Sequence, residues 1–415
     1  MKRKNKVLVV GSHVSGLAVI RALGAKGIDS IALSFENDDF GNVSKYLSER
    51  VAIPHPRLQE KKFIDFMIRN GDRWRGSLII DTDDNGAVAI SKHKKELENY
   101  YKVATAEWEL LRLFLEKKEA HRIAVECGVP HPQNFLPQTM GDLEEIKNKI
   151  HYPAILKPVH GHEFFSIFNF KNFEVNSDED LTGKFKLCLD AKQEVMLQEI
   201  IIGPETNLYK MQTYVNSKGQ LSAKFFWNKI RQHPPMFGVG RVGVSSTRNE
   251  EVEYLSKKLI EHSKYRGYFS IEFKKDLRDD QLKLMEVNIR MPRNGILATA
   301  SGINFPWIIY KDLVDDEQVT VNNYKTNFYY IEIGLDIYNA IFKRKKENFK
   351  IKDYLKPYLS RNKVFAVFSL SDLKPFFKQI FLMIRGFRKV FKLTRPKVKK
   401  SAIAKTYSPA VEIER

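Results

Sequence analysis

The sequence predicts an α/β protein: an open parallel α/β domain over residues 1–105, then an α+β region over 106–315 and a C-terminal appendage over 316–415. Two observations predict it. The first is a strand, a glycine turn, a helix and a second strand in immediate succession over residues 6–34. The second is a set of alternating apolar and polar segments beyond residue 195 that pair as hairpins. With 43% hydrophobic residues in 415, the chain has enough apolar side chain for more than one core.

The elements follow in order. Lys6–Val10 is a short apolar strand, and Gly11-Ser-His-Val-Ser-Gly16 turns it into a helix marked by Leu17, Ile20 and Leu23. Ser30–Ser34 returns as a strand. A phosphate suits a glycine turn over a helix N-terminus. The spacing is neither a complete dinucleotide fingerprint nor a phosphate loop, so a plain tight turn is an equal reading. A helix over residues 58–70 and a strand over Ser77–Asp81 complete the alternation. Residues 107–127 read as one helix, stopped by Gly128-Val-Pro-His-Pro132. Tyr152–Lys157 and Val195–Glu199 are strands. Asn207–Val215 and Ser222–Ile230 pair around Ser217-Lys-Gly219, and Glu250–Tyr265 is a helix.

Met285-Glu-Val-Asn-Ile-Arg290 carries the most chemistry. In a strand, alternate side chains share a face, so Glu286, Asn288 and Arg290 line one side and Met285, Val287 and Ile289 the other. Carboxylate and amide oxygens suit a hard cation, and a guanidinium suits a phosphate held beside it. The strand Tyr268–Phe273 precedes it across a turn at Lys274–Gln281, which brings Glu272 toward Glu286. Lys229 and Arg231 put two bases on another strand. Gly238-Val-Gly-Arg241 follows, an arrangement that suits a carboxylate or a transferred phosphate.

From Lys117 onward the order of motifs resembles the ATP-grasp superfamily, of the carboxylate–amine ligase type, D-aspartate ligase-like. The resemblance covers roughly residues 105–310, with residues 1–105 matching the Rossmann-like domain that precedes that fold. It implies two lobes, a lysine lobe over about 106–195 and a metal lobe over about 196–315. It assigns Lys117 and Lys157 to the nucleotide phosphates, Gln198, Glu199, Ile200 and Ile201 to the base, and Glu205 to the ribose. Glu272, Glu286 and Asn288 fall to the metal, and Arg290, Arg231 and Lys229 to the reacting anions. ATP with Mg²⁺, or Mn²⁺, is the implied cofactor pair. The implied reaction joins small-molecule or cell-envelope-precursor carboxylates and amines through an acylphosphate. Two departures stand out. Glu116-Lys117 replaces the usual Asp-Lys, and the phosphate loop, Val159-His-Gly-His-Glu-Phe-Phe165, has one glycine. Thr299–Phe305, with Asn304, is expected to close the substrate side.

Three other readings stay open. A nicotinamide-dependent oxidoreductase would use Gly11–Gly16 with Glu36. An inactive relative would keep the fold alone. A binding module would use the basic tail. The net charge is +19, and Lys374–Lys400 holds ten bases and no acid. In Pro375–Leu393 the residues Phe377, Ile380, Ile384, Phe387 and Phe391 fall on one helical stripe flanked by bases. An anionic membrane surface through residues 375–400 is therefore an expected partner, nucleic acid is not, and even odds go to the stripe docking on the protein instead. Two cysteines, Cys127 and Cys188, fit a reducing compartment. The apolar run Val7–Val10 is too short for a signal-peptide core and no run reaches about 18 apolar residues. A cytoplasmic location, peripheral at the inner membrane face, is the expectation.

Overall fold

The computed structural model describes residues 5–36, 39–159, 161–170, 172–234, 238–342 and 350–393, with backbone alone at 117–118, 161–163, 165 and 386–393. Among the described residues the strands form three sheets. The first holds β1 (Val7–Val10), β2 (Ser30–Ser34), β3 (Leu47–Ala52), β4 (Leu78–Asp81) and β5 (Lys102–Val103), all parallel, in the order β3-β2-β1-β4-β5. The second holds β6 (Asn134–Phe135), β7 (Ala154–Pro158), β8 (Phe173–Val175) and β9 (Val195–Glu199), antiparallel, in the order β6-β9-β7-β8. The third holds β10 (Leu208–Val215), β11 (Leu221–His233), β12 (Val239–Ser245), β13 (Gly267–Lys275), β14 (Leu282–Asn288), β15 (Tyr329–Ile331) and β16 (Lys363–Phe365), in the order β14-β13-β10-β11-β12-β15-β16.

The parallel sheet is apolar where it is central. Every residue of β1 and β4 is buried, as parallel strands covered on both faces require. Strand β3 escapes the sequence reading because it sits at the edge. Its Leu-Ser-Glu-Arg-Val-Ala alternates half-buried and exposed residues, so its apolar content is low. Gly11–Gly16 forms its turn for a packing reason. A Cβ on Gly16 would lie 2.1 Å from the Gly11 carbonyl oxygen. The Ser12 amide and hydroxyl both donate to the buried Asp39 carboxylate at 3.0 Å. A protein carboxylate thus fills the anion position that the oxidoreductase reading needed.

Several expected spans shift. The helix over 107–127 is two helices, Trp108–Leu115 and Lys117–Glu126, separated at Glu116, whose ψ of 116° is extended. The glycine-poor segment after Lys157 is a helix, Gly161–Phe168, rather than an open loop. Phe164 anchors it, fully buried against Phe168 and Phe173. Strand β9 pairs with β7, so residues 196–199 belong to the lysine-bearing sheet and not to the metal-bearing one. The C-terminal appendage is also more than an addition. Strands β15 and β16 extend the same sheet that carries β13 and β14.

The C-terminal region ties back to the N-terminal sheet. Arg21 Nε donates to Asp372 at 3.0 Å, and Ser44 Oγ and the Lys45 amide reach the same carboxylate at 2.7 and 2.9 Å. Asp372 and Arg21 are both buried. A further helix, Lys374–Leu393, docks beside them. Phe376 joins the core, and Lys378 donates to the Asp39 carbonyl and Asn42 at 2.7 and 2.8 Å.

Candidate functional site

A cleft of about 1040 Å³ lies between the second and third sheets. Its lysine side is built on β7 and β9. The antiparallel register sets Ile155 opposite Gln198, and the Lys157 ammonium donates to the Gln198 amide oxygen. Beyond β9 the chain runs through Ile200, Ile201 and Ile202, all on the cleft wall, with Ile201 buried. The Lys274 ammonium donates to the Ile201 carbonyl at 2.7 Å. Burial holds the Lys274 pKa down despite the nearby Asp276 and Glu205. Glu205 also lines the cleft, just after Gly203, whose φ of 143° tightens the turn. Lys117 opens its helix, but its side chain lies outside the described residues, as do His160 and the side chain of His162.

Glu199 lines the cleft, and its side chain is held by neighbours. Its buried carboxylate accepts from the Gln133 amide at 3.1 Å and meets Arg278 at 2.6 Å and His151 at 3.3 Å. The side chain anchors the hinge segment to its neighbours, which leaves the hinge backbone to meet a base.

The opposite wall is the strand pair β13–β14. Glu272 and Glu286 are direct cross-strand partners, and Ser270 faces Asn288. A bulge makes this possible. Glu272 pairs with Glu286 and Phe273 with Leu284, which leaves Met285 as the extra residue. Leu284, Val287 and Ile289 therefore enter the core, and Met285 does not share their face as strict alternation predicted. The next strand, β10, adds a residue that the motif reading missed. Lys210 stands directly across from Glu272 and forms an ion pair with it. Lys229 on β11 meets the same carboxylate at 3.0 Å. The signal for Lys210 was a lone base in a largely buried strand, Leu208–Val215.

Electrostatics here is crowded. Burial pushes the Lys229 pKa down to about 8, against the pull of Glu286 and Glu205. Lys210 is held well below the ordinary lysine range, by burial first and then by Lys229. Burial raises the Glu286 pKa, but Lys210, Lys229, Asn288 and Arg290 outweigh it and keep the carboxylate below its usual range. Two carboxylates and an amide on facing strands, with no third acid to complete a cage, suit a hard cation that takes its remaining ligands from phosphate oxygens. Among the described residues no group of three or more acidic, His or Cys side chains forms a closed metal nest.

The substrate-side residues divide. Arg290 lies beyond the end of β14, where its Nε donates to Asp84 of the N-terminal sheet region at 2.5 Å. Beside it is His13, at the start of the first helix. Burial and the charges of Arg293 and Arg290 lower its pKa to about 4. Arg231 was expected as an open anion contact. Instead its Nε and Nη2 both donate to Asp336 at 2.9 Å, while Arg241 donates to the same carboxylate at 2.7 Å. Tyr358 adds a hydrogen bond at 2.7 Å, and the Tyr354 ring lies 4.3 Å from the Arg231 guanidinium. Both arginines still line the cleft, but as parts of a buried clamp. Asn304 is likewise committed elsewhere. It caps a helix at Trp307 and donates to the Ala22 carbonyl at 2.7 Å.

Known proteins share parts of this sequence and fold. Residues 238–333 match the family described as "ATP-grasp in the biosynthetic pathway with Ter operon". The D-aspartate ligase of Enterococcus faecium (strain Aus0004) is 25% identical over 281 residues, covering 64% of this chain and 66% of that protein. Among solved structures, an ADP complex of N5-carboxyaminoimidazole ribonucleotide synthetase superposes with a TM-score of 0.62 at 14% identity, covering 83% and 87% of the two chains. The L-amino acid ligase of Bacillus licheniformis follows at 0.56 and 16%, covering 76% and 75%. The chain has the ATP-grasp fold, and its residues 238–333 match an ATP-grasp family. The alignment spans just under two thirds of the Enterococcus ligase. The ATP-grasp sheets of this chain are the lysine-bearing β6–β9 and the metal-side β10–β16, with the cleft between them.

Proposed function

We propose that this ATP-grasp protein is an ADP-forming ligase that joins a carboxylate to an amine. The observation that supports it most is the direct pairing of Glu272 with Glu286, beside Asn288, facing Lys157 and the isoleucine hinge across one cleft. Gln198, Ile200 and Ile201 take the base, Glu205 the ribose, and Lys117 and Lys157 the phosphate oxygens. Glu272, Glu286 and Asn288 hold Mg²⁺, which when bound neutralises charge on the phosphates. Lys229 and Arg290 orient the acid substrate and the transferred group as point charge and fork.

The acid's oxygen attacks the γ-phosphorus and the bond to the β-bridging oxygen breaks, releasing ADP. The amine nitrogen then attacks the acyl carbon, phosphate leaves, and the amine loses a proton. The chain supplies position and charge rather than a covalent nucleophile. The D-aspartate and L-amino acid ligases among the relatives favour an amino acid as one substrate. A cell-envelope precursor is a fitting amine partner.

The test is turnover of Glu286→Gln, which removes metal charge at nearly constant volume. A folded protein with turnover lowered by about 10²–10³-fold, some 3–4 kcal/mol of barrier, is expected. Unchanged ATP-dependent product formation sinks the assignment. With ¹⁸O in the acid, one label belongs in the released phosphate, and label in AMP would show adenylation instead.

A further inference from the structure

The helix Lys374–Leu393 does not dock through its apolar stripe. It docks through Phe376 and Lys378, which leaves Phe377, Phe381 and Ile384 in solvent, with Phe381 63% exposed. The same arrangement recurs on the two helices before it. On Ile333–Phe342 the buried side carries Asp336 and Asn339, and the opposite side exposes Ile337, Ile341 and Phe342. On Ile351–Leu359 Tyr354, Pro357 and Tyr358 turn inward, while Ile351, Leu355 and Leu359 at four-residue spacing lie exposed, Leu359 at 78%.

These helices are neighbours. Tyr358 donates to Asp336, and Met383 Sδ lies 3.4 Å from where a Cβ on Gly334 would stand. Three adjacent helices that each expose large aliphatic or aromatic side chains make more apolar surface than a soluble monomer ordinarily leaves bare.

Charge selects the occupant. Residues 343–400 hold nineteen Lys and Arg against three acids, most of the chain's net charge. Lys352, Lys356, Lys374 and Arg385 are exposed on the described parts of these helices. Lys343, Arg344, Lys345 and Lys346, which follow Phe342 in sequence, lie outside the described residues. A second copy of this surface would meet it base to base, which disfavours self-association. The exposed aromatics Phe342, Phe377 and Phe381 sit on apolar stripes with aliphatic neighbours, not interleaved with bases as a stacking platform for nucleic acid. An anionic bilayer satisfies both halves, with acyl chains for the apolar stripes and headgroups for the bases. Among the described residues no helix is long and apolar enough to cross a membrane, so the contact is with the surface.

We propose that the helices Ile333–Phe342, Ile351–Leu359 and Lys374–Leu393 form one docking face for an anionic phospholipid surface. The proposal does not depend on the ligase reading. It does place the membrane against the outer side of the helices whose inner side clamps Arg231 and Arg241 through Asp336 and Tyr354.

The test is flotation of the full chain with vesicles of phosphatidylcholine alone and of an equal mixture with phosphatidylglycerol, at low and high salt. Two exposed-site variants accompany it: Ile341→Ser with Phe342→Ser, and Phe381→Ser with Ile384→Ser. Unchanged melting and ATP binding confirm that both fold. Binding to the mixed vesicles, weaker in high salt and on phosphatidylcholine, and at least about tenfold weaker for each variant pair, is expected. No binding by the full chain overturns the proposal. So does a loss confined to the Phe381/Ile384 pair, which would leave the last helix acting alone. Light scattering that shows a dimer dispersed by the variants, without lipid binding, also overturns it by naming a second copy as the occupant.

Discussion

Two buried charge clusters face the same cleft, and they are built differently. At Asp336 one carboxylate receives the Arg231 fork, the Arg241 Nε and a tyrosine hydroxyl, every contact between 2.7 and 2.9 Å. At Glu272 one buried carboxylate pairs with two lysines whose pKa values burial drives down, with the more exposed Glu286 opposite it. A guanidinium fork fixes geometry, whereas an ammonium is a compact charge on a flexible stem that can move when another cation arrives. The first cluster therefore builds the cleft, and the second is suited to exchange its cations for metal and phosphate.

Breaking the clamp carries the largest expected effect. Asp336→Asn removes the carboxylate charge that two buried guanidiniums share, and a loss of about 3–5 kcal/mol in denaturant unfolding is expected. A loss below about 1 kcal/mol would make the clamp no different from a surface pair.

The lysine cluster is expected to respond in the opposite way. Lys210→Met removes the more strongly desolvated lysine while Glu272 keeps Lys229 at 3.0 Å. Metal-free stability is expected to change by no more than about 1 kcal/mol, because Lys229 remains as the counter-charge of Glu272 and a desolvated ammonium is removed. A loss as large as that of Asp336→Asn would erase the distinction between the clusters.

Titration sharpens it further. The Lys229 pKa is about 8 in the folded chain against 10.5 ordinarily. Between those values the unfolded chain binds more protons, so stability rises with pH through this window. Lys229→Met should flatten that rise in unfolding midpoints measured across it. His13 acts in the acid range. With its pKa lowered to about 4 from 6.5, its contribution is present above pH 6.5 and is lost as pH falls toward 4. His13→Asn, which keeps a side-chain acceptor for the helix cap, should remove about 1–2 kcal/mol of that acid-side loss.

Much of this was legible because its physics is local. The β13–β14 hairpin follows from alternation and a turn at Asp279-Asp280, and Asp280 does adopt a positive φ of 60°. Lys157 at a strand end and the isoleucine hinge are equally short-range. What escaped depends on partners distant in sequence. Nothing near Arg231 announces Asp336, 105 residues later, and nothing near Glu272 announces Lys210 on the neighbouring strand, 62 positions earlier in sequence. The Met285 bulge inverted one apolar position because alternation assumes an unbroken ladder. Edge strand β3 was missed because its alternating polar residues dilute the apolar pattern.

The tie between Arg21 and Asp372 has a consequence for how the chain is made. Arg21 packs within the first helix, yet its counter-ion lies 351 residues later. While the ribosome is still adding those residues, the N-terminal sheet holds an arginine whose buried position is not yet neutralised, and Ser44 and the Lys45 amide lack their acceptor. The early sheet can collapse during synthesis, but it reaches its final state only after Asp372 has cleared the exit tunnel.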